Sequence, residues 1–377
     1  MHEHSVNERP NSEVIVIGDS SNNTLGAIRS FGEAGVAQTL ILVSPNDICH
    51  VQCSKYLKHG NCILAASLED CQIILDNLKS KAEKAYLMTT FDATAQWVDE
   101  REAELSRHFV TPCRGRQLGR LFDKAEQCRL ALECGLLVPK SVIYHRGATT
   151  PDAEIGYPLI TKPLVSSQGE KGDIHICHSR QELEEALQKE SHCRSFLFQE
   201  FIEKEYEIDA VGVSTDSEVV FVGAIHKYRH WPPLTGAGAF GVFERIETFD
   251  IDTAAVKRFL AQAGYHGPFS VEFVHTKEGR NYFMEVNFRN EGLAYASTCA
   301  GANLHALYVH PDYWIDWKKF RRTYMMNYGI DLLYVKNGML SGWRWLKDFL
   351  RTRCFINLCF SDLGPTIAHY KAKWRKS

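Results

Sequence analysis

Glu272, Glu285 and Asn287 are spaced to set two carboxylates and an amide oxygen on one face of a hairpin, a donor set that suits a hard divalent cation such as Mg2+. The stretch around them, GPFSVEFVHTKEGRNYFMEVNFRNEG, reads as two strands, 267–275 and 281–288, rich in Phe, Val and Tyr, with Lys277-Glu278-Gly279 as the turn. Side chains alternate along a strand, so Glu285 and Asn287 share a face while Val286 points into a core, and Glu272 reaches that face from the partner strand. The polar face continues through Arg289, Asn290 and Glu291. A solvent-facing hairpin alternates in the same way, but its outer face favours Lys and Thr. Here the acids sit beside apolar runs, and the Ala-rich stretch that follows, 293–301, has the composition of buried chain.

The flanking sequence supplies the elements that must hold such a hairpin. Strand-like segments at 157–162, 173–177, 196–201, 207–213, 219–226 and 241–247, with helices at 179–189 and 252–263, describe an α+β body. Lys162 ends the first of these strands, YPLITKP, and the loop 166–172, with Ser167, Gly169 and Lys171, has backbone N–H groups and a cation to lay over phosphates. Ahead of the body, strand and helix patterns alternate: a strand at 13–17, a helix at 24–34, strands at 39–43 and 85–88, and helices at 68–81 and 92–108. This is an α/β unit with a parallel sheet. Its first turn, GDSSNNTLG, lacks the G-x-G-x-x-G spacing of a dinucleotide site, which argues against NAD.

At 377 residues the chain exceeds what one core usually serves. The divisions expected are 1–112 for the front unit, 113–205 and 206–311 for the two parts of the body, and 312–377 for a C-terminal extension. A net charge of −3 conceals an uneven spread, because the extension carries 13 Lys and Arg against 5 Asp. The 12 cysteines follow no paired or metal-ligating spacing, and no apolar leader or membrane-length run occurs, so a soluble protein of the reducing cytoplasm is expected. Cys49, Cys53, Cys62 and Cys71 do not fit a zinc site. No nucleic-acid module is visible.

Taken in order, these motifs resemble the ATP-grasp superfamily over about 118–303. Asp123-Lys124, the helix that ends at Gly135, and Val138-Pro139 resemble its first nucleotide lysine and the entry to its small lid subdomain. Lys162 matches the second lysine, and 166–172 the phosphate lid. Gln199-Glu200-Phe201-Ile202 is similar to the hinge that reads adenine, and Glu205 or Glu207 to the acid on the ribose. Glu272, Glu285 and Asn287 match the Mg2+ ligands, and Arg289 the arginine beside the transferred phosphate. Leu25-Gly26-Ala27-Ile28-Arg29-Ser30-Phe31-Gly32, with 288–292 and 298–303, resembles the carboxylate-amine ligase branch typified by D-aspartate ligase.

The resemblance implies an N-terminal pre-ATP-grasp domain, a small lid subdomain and a larger antiparallel catalytic subdomain. It also implies ATP and Mg2+, or Mn2+ in its place, as cofactors. The activity expected is ligation of a carboxylate to an amine through an acyl phosphate, with release of ADP and phosphate. Lys124 and Lys162 would hold ATP, with Lys162 and Arg289 acting on the reacting phosphate. A carboxylase-like or kinase-like enzyme with another acceptor, and an ATP-binding module without turnover, are the alternatives. Lys227 and Arg229, in a segment read as a connecting loop, are candidate contacts to the substrate. Residues 342–354 read as an amphipathic helix, with Trp343, Trp345, Leu346, Phe349 and Leu350 opposite Arg344, Lys347 and Arg351. That pattern suits packing on its own domain or peripheral contact with the inner face of a membrane. The membrane alternative would link the enzyme to cell-envelope or polysaccharide assembly. The family also implies a homodimer.

Overall fold

The structure, a computed structural model, describes residues 13–43, 50–57, 61–79, 84–115, 118–150, 152–164, 173–190, 192–216, 218–233 and 236–376. Among these residues the strands form three sheets. The first is parallel: β1 (Val14–Gly18), β2 (Gln38–Val43), β3 (Cys62–Ala65) and β4 (Tyr86–Thr89), in the order β3-β2-β1-β4. Ile15 and Ile17 of β1 enter one core while Val14 and Val16 enter another, as expected of a central parallel strand covered on both faces. The chain moves away from β1 on one side through β2 and β3, and returns on the other through β4. The strand order therefore reverses between β1 and β4, where open α/β sheets form a crevice at the carboxyl ends of their strands.

The second sheet, β5-β8-β6-β7, is antiparallel and contains β5 (Ser141–His145), β6 (Leu159–Pro163), β7 (His175–Cys177) and β8 (Ser195–Glu200). The third runs β13-β12-β9-β10-β11-β14-β15, built from β9 (Tyr206–Ser214), β10 (Val219–Trp231), β11 (Ala237–Glu244), β12 (Pro268–His275), β13 (Asn281–Asn287), β14 (Thr323–Met326) and β15 (Cys354–Phe355). The α/β and α+β parts are thus both present. Strands β3, β5, β14 and β15 escape the sequence pattern, and 227–231 and 237–238, read as parts of a loop, are strand. Arg229 and His230 pair with Phe240 and Gly238 across an irregular stretch of the β10–β11 ladder, which interrupts the alternation that would reveal it.

The C-terminal residues are integral to the fold, since β14 and β15 extend the seven-stranded sheet. A fully buried ion pair secures them: Arg29, on the helix Asn22–Ala34, donates from Nε to Asp362 at 3.0 Å and from Nη1 to the Ile356 carbonyl at 3.0 Å. Asp362 also accepts from Ser54 Oγ and the Lys55 N–H, both at 2.9 Å. The glycines of the same motif serve close packing. A Cβ on Gly26 would lie 3.3 Å from that of Tyr295, and one on Gly32 would collide with the Tyr56 ring at 2.3 Å.

Removing one member of a buried pair strands the other charge. Asp362→Ala is therefore expected to destabilise the protein by about 3–5 kcal/mol, read by urea unfolding, with Arg29→Met/Asp362→Leu costing less than Asp362→Ala alone. A single variant of wild-type stability would remove this role from the pair.

Candidate active site

Glu272 and Glu285 are direct cross-strand partners on β12 and β13, and Ser270 faces Asn287 two residues further on. The ladder then slips: Phe273 pairs with Phe283, leaving Met284 as the extra residue of a bulge. The slip changes the parity of β13, so Phe283 and Val286 both enter the core while Met284 and Glu285 both line the cleft. β13 is the edge of its sheet, and its outer backbone groups are met by other parts of the chain. Gln127 donates to the Val286 carbonyl at 3.2 Å and accepts from the Val286 N–H at 2.8 Å, and the Phe283 N–H donates to the Leu137 carbonyl at 2.8 Å. Gln127 lies one turn after Lys124 on the helix Lys124–Glu133, whose N-terminus is capped by Asp123 accepting from the N–H groups of Ala125 and Glu126. The cap and the glutamine thus set Lys124 against the hairpin, with Lys124 Nζ 3.6 Å from a Glu285 oxygen.

Lys162 enters the same cleft from β6. Burial, reinforced by the charge of Lys124, lowers its pKa below the usual lysine value. The cleft between the two antiparallel sheets is lined by the apolar Ile160, Ile174, Ile176, Phe201 and Met284 and by the charged Lys124, Lys162, Glu200, Lys204, Glu207, Glu272 and Glu285, of which Lys124 meets Glu285 while Glu207 and Glu272 gather around Lys227. Glu200, Phe201 and Ile202, leaving β8, all line it. Gln199 does not; its carboxamide nitrogen is buried 3.9 Å from Cys128 Sγ. Of the two acids considered for one role, Glu207 lines the cleft, while Glu205 is exposed and its N–H donates to the His275 carbonyl. Ser167, Gly169 and Lys171 lie outside the described residues.

Lys227 is a buried strand residue. Its Nζ lies 2.8 Å from Asp209, 3.6 Å from Glu207 and 3.7 Å from Glu272. Burial opposes its charge, but Asp209, Glu272 and Glu207 outweigh that and raise its pKa well above the usual lysine value. Burial would likewise raise the Glu207 carboxyl, yet the contact from His230 at 2.8 Å and the charges of Lys227 and Lys204 hold it well below the usual range. Arg229, the other candidate, is turned away from the cleft. It forks onto Asp331 with Nε and Nη2, at 2.7 and 2.9 Å, and reaches Asp348 with Nη1 at 2.7 Å, which commits it to the C-terminal segment.

Beyond the acids the cleft opens into a second cavity of about 310 Å3, lined by Lys227, Glu272, Glu285, Asn287, Arg289 and Leu293 of the body, Asn22 and Asn23 of the front unit, and Asn327, Ile330 and Ile356 of the C-terminal segment. Such a volume suits a small molecule. Arg289 donates to Asn287 Oδ1 at 2.9 Å, to Glu291 at 3.0 Å and to Asp92 at 2.7 Å. Against burial, Asp92 and Glu291 raise its pKa. Asn290 donates to the Asn23 carbonyl at 2.7 Å, and its N–H to that of Thr89 at 2.9 Å. The end of β13 is thereby tied to the carboxyl ends of β1 and β4, where the strand order reverses. The sequence pattern does not single out Gln127, Asp92 or Asn327; the only local signal is that Gln127 follows Lys124 by one helical turn.

No family model matches the sequence. Formate-dependent phosphoribosylglycinamide formyltransferase of Methanocella arvoryzae is 29% identical over 153 residues, a match spanning 36% of this chain and 35% of that protein's length. The fold is similar to that of N5-carboxyaminoimidazole synthetase from Staphylococcus aureus complexed with ADP, with a TM-score of 0.65 and 17% identity over 87% of this chain and 85% of the other. L-amino acid ligase from Bacillus licheniformis gives 0.59 at 17% identity, over 80% and 74% of the two chains. The biotin carboxylase domain of Hydrogenobacter thermophilus 2-oxoglutarate carboxylase, solved with MgADP, gives 0.61 at 15% identity, over 84% and 74%. The chain has the ATP-grasp fold.

Lys227→Met is expected to leave Asp209 buried without its cation and to cost about 3–5 kcal/mol, with Asp209→Asn/Lys227→Met regaining part of the loss. Chemical denaturation of the three variants decides this; a stable Lys227→Met protein would show that Lys227 is free for a ligand.

Proposed function

We propose that the chain is an ATP-dependent, ADP-forming ligase that activates a carboxylate as an acyl phosphate for attack by an amine. The carrying observation is the meeting of Lys124 and Lys162 with Glu272 and Glu285 in one cleft that Ile160, Ile176 and Met284 also line. Adenine suits the apolar side chains of Ile160, Ile176 and Met284, next to the chain 200–202, and ribose hydroxyls suit Glu207. The two lysines would neutralise the polyphosphate. The side chains of Glu272 and Glu285, which are 22% and 29% exposed, offer accessible carboxylate oxygens that fit Mg2+, with the buried Asn287, whose Oδ1 accepts from Arg289, beside them. When bound, Mg2+ would offset the charge that builds up as two anions are brought together.

An oxygen of the acid attacks the γ-phosphorus as the bond to ADP breaks, and the amine nitrogen then attacks the acyl carbon and expels phosphate. Arg289, positioned by Asp92 and Glu291 in the wall of the adjoining cavity, would steady the acyl phosphate and the tetrahedral species that follows. The adjoining cavity would hold the acid and the amine, with Arg289 and Lys227 the cations nearest to them. A carboxylase-like reading, in which a small acid such as bicarbonate or formate is activated, draws support from the likeness to carboxyaminoimidazole synthetase and the formyltransferase. Both readings share the first step.

Incubating the protein with Mg-ATP and panels of acids and amines is expected to release ADP and phosphate only with the matching pair; a complete absence of release would end the ligase reading. Glu285→Gln is expected to lower turnover at least about a hundredfold with an unchanged unfolding midpoint. The lowered pKa of Lys162 implies that its charge is lost at lower pH than that of a solvated lysine. Affinity for ADP, measured by calorimetry, should therefore fall as pH rises through that lowered value, and Lys162→Arg should flatten the dependence. An ADP affinity that does not change with pH would separate Lys162 from the phosphates.

A further inference from the structure

We propose that the C-terminal face centred on the helix Gly342–Arg351 docks on an anionic lipid bilayer surface. One side of this helix is fixed to the body: Trp345 and Phe349 pack with Phe240, Met326 and Phe355, and Asp348 is buried against Arg229. The other side is bare. Trp343, Leu346 and Leu350, at i, i+3 and i+7, share one stripe and are 74%, 40% and 74% exposed. Lys347 and Arg344 lie in the adjoining stripe and are also exposed, and Arg351 beside them pairs with Asp348 at 2.9 Å and lies over the Tyr324 ring. The apolar stripe expected from the sequence is thus divided, half of it anchoring the helix and half facing outward beside cations.

Single exposed hydrophobic residues are ordinary on a protein surface, but a contiguous set bordered by cations is the pattern of a helix lying in a membrane interface. The next helix in the chain, Leu363–Lys376, packs on Val51–Cys53 and also carries exposed apolar residues, Leu363, Ile367 and Tyr370, all more than 40% exposed, with Lys371 beside them.

Charge identifies the occupant. Of the 5 Asp in the last 66 residues, Asp331, Asp348 and Asp362 are buried in pairs with Arg229 and Arg29, cations from elsewhere in the chain, and Asp348 is also held by Arg351 at 2.9 Å. Beyond Asp316, then, the outward-facing charge of the segment is positive, complementary to anionic headgroups. No helix among the described residues is long and apolar enough to cross a membrane, so the contact is with the surface. It does not depend on the ligase reading, because none of the residues of either stripe lines the cleft or the cavity beside it.

The full chain, sedimented with vesicles of phosphatidylcholine alone or mixed with phosphatidylglycerol, is expected to bind only the mixed vesicles and to be released by salt. Trp343→Ser/Leu350→Ser and Arg344→Glu/Lys347→Glu should each weaken binding on the order of tenfold or more while leaving the unfolding midpoint and ADP binding unchanged. Equal binding to both vesicle types, or anionic binding that survives either double variant, would overturn the proposal. So would a dimer in vesicle-free solution that Trp343→Ser/Leu350→Ser dissociates, since the face would then be a surface for a second copy.

Discussion

The acids of the site stand on an edge strand, and an edge strand has a row of backbone groups that needs partners. Everything about the cleft depends on how those of β13 are met. Gln127 takes both polar groups of Val286, the residue between Glu285 and Asn287, and Leu137 takes the N–H of Phe283. A water-satisfied edge would leave the hairpin and the helix Lys124–Glu133 free to shift against each other. Closed in this way, the edge fixes the height of Lys124 over Glu285, and the linker that follows the helix then delivers β5 and the rest of the second sheet to the far wall of the cleft.

The opposite end of β13 is fixed by a second set of bonds. Arg289 and Asn290 reach Asp92, Asn23 and Thr89 at the point where the parallel sheet changes direction. The front unit therefore does more than precede the body, because its first helix supplies Asn22 and Asn23 to the cavity and holds the C-terminal segment through Arg29. That segment in turn supplies Asn327, Ile330 and Ile356. Three distant stretches of chain close one small cavity, and the side chains that would choose a substrate come from all three.

Charge is distributed by the same logic. Lys227 sits among Asp209, Glu207 and Glu272 and leaves these carboxylates with a fixed counter-charge, while Arg229, two residues on, faces the other way toward Asp331 and Asp348. With Asp331 and Asp348 held by Arg229, and Arg351 also on Asp348, Arg344 and Lys347 remain as outward cations of the helix Gly342–Arg351. One strand thus serves the cleft on one side and the exposed face on the other, because the irregular register between Lys227 and Arg229 breaks the alternation that would point both the same way.

The sequence by itself determined the charged groups of the cleft and much of their setting. The spacing of Glu272, Glu285 and Asn287, the turn at Gly279, the helix end at Gly135 and the α/β pattern of the front unit are local signals of period and turn chemistry. Tertiary structure decided the rest. The bulge at Met284 reversed the parity of the strand, and a slip of one residue leaves no mark in an alternation of apolar and polar types. Bringing Glu207 and not Glu205 to the cleft, committing Lys227 and Arg229 to buried pairs, and splitting the apolar stripe of the helix Gly342–Arg351 all depend on partners far away in the chain. Those contacts are set by how sheets and helices stack, an energy shared among residues that no short window contains.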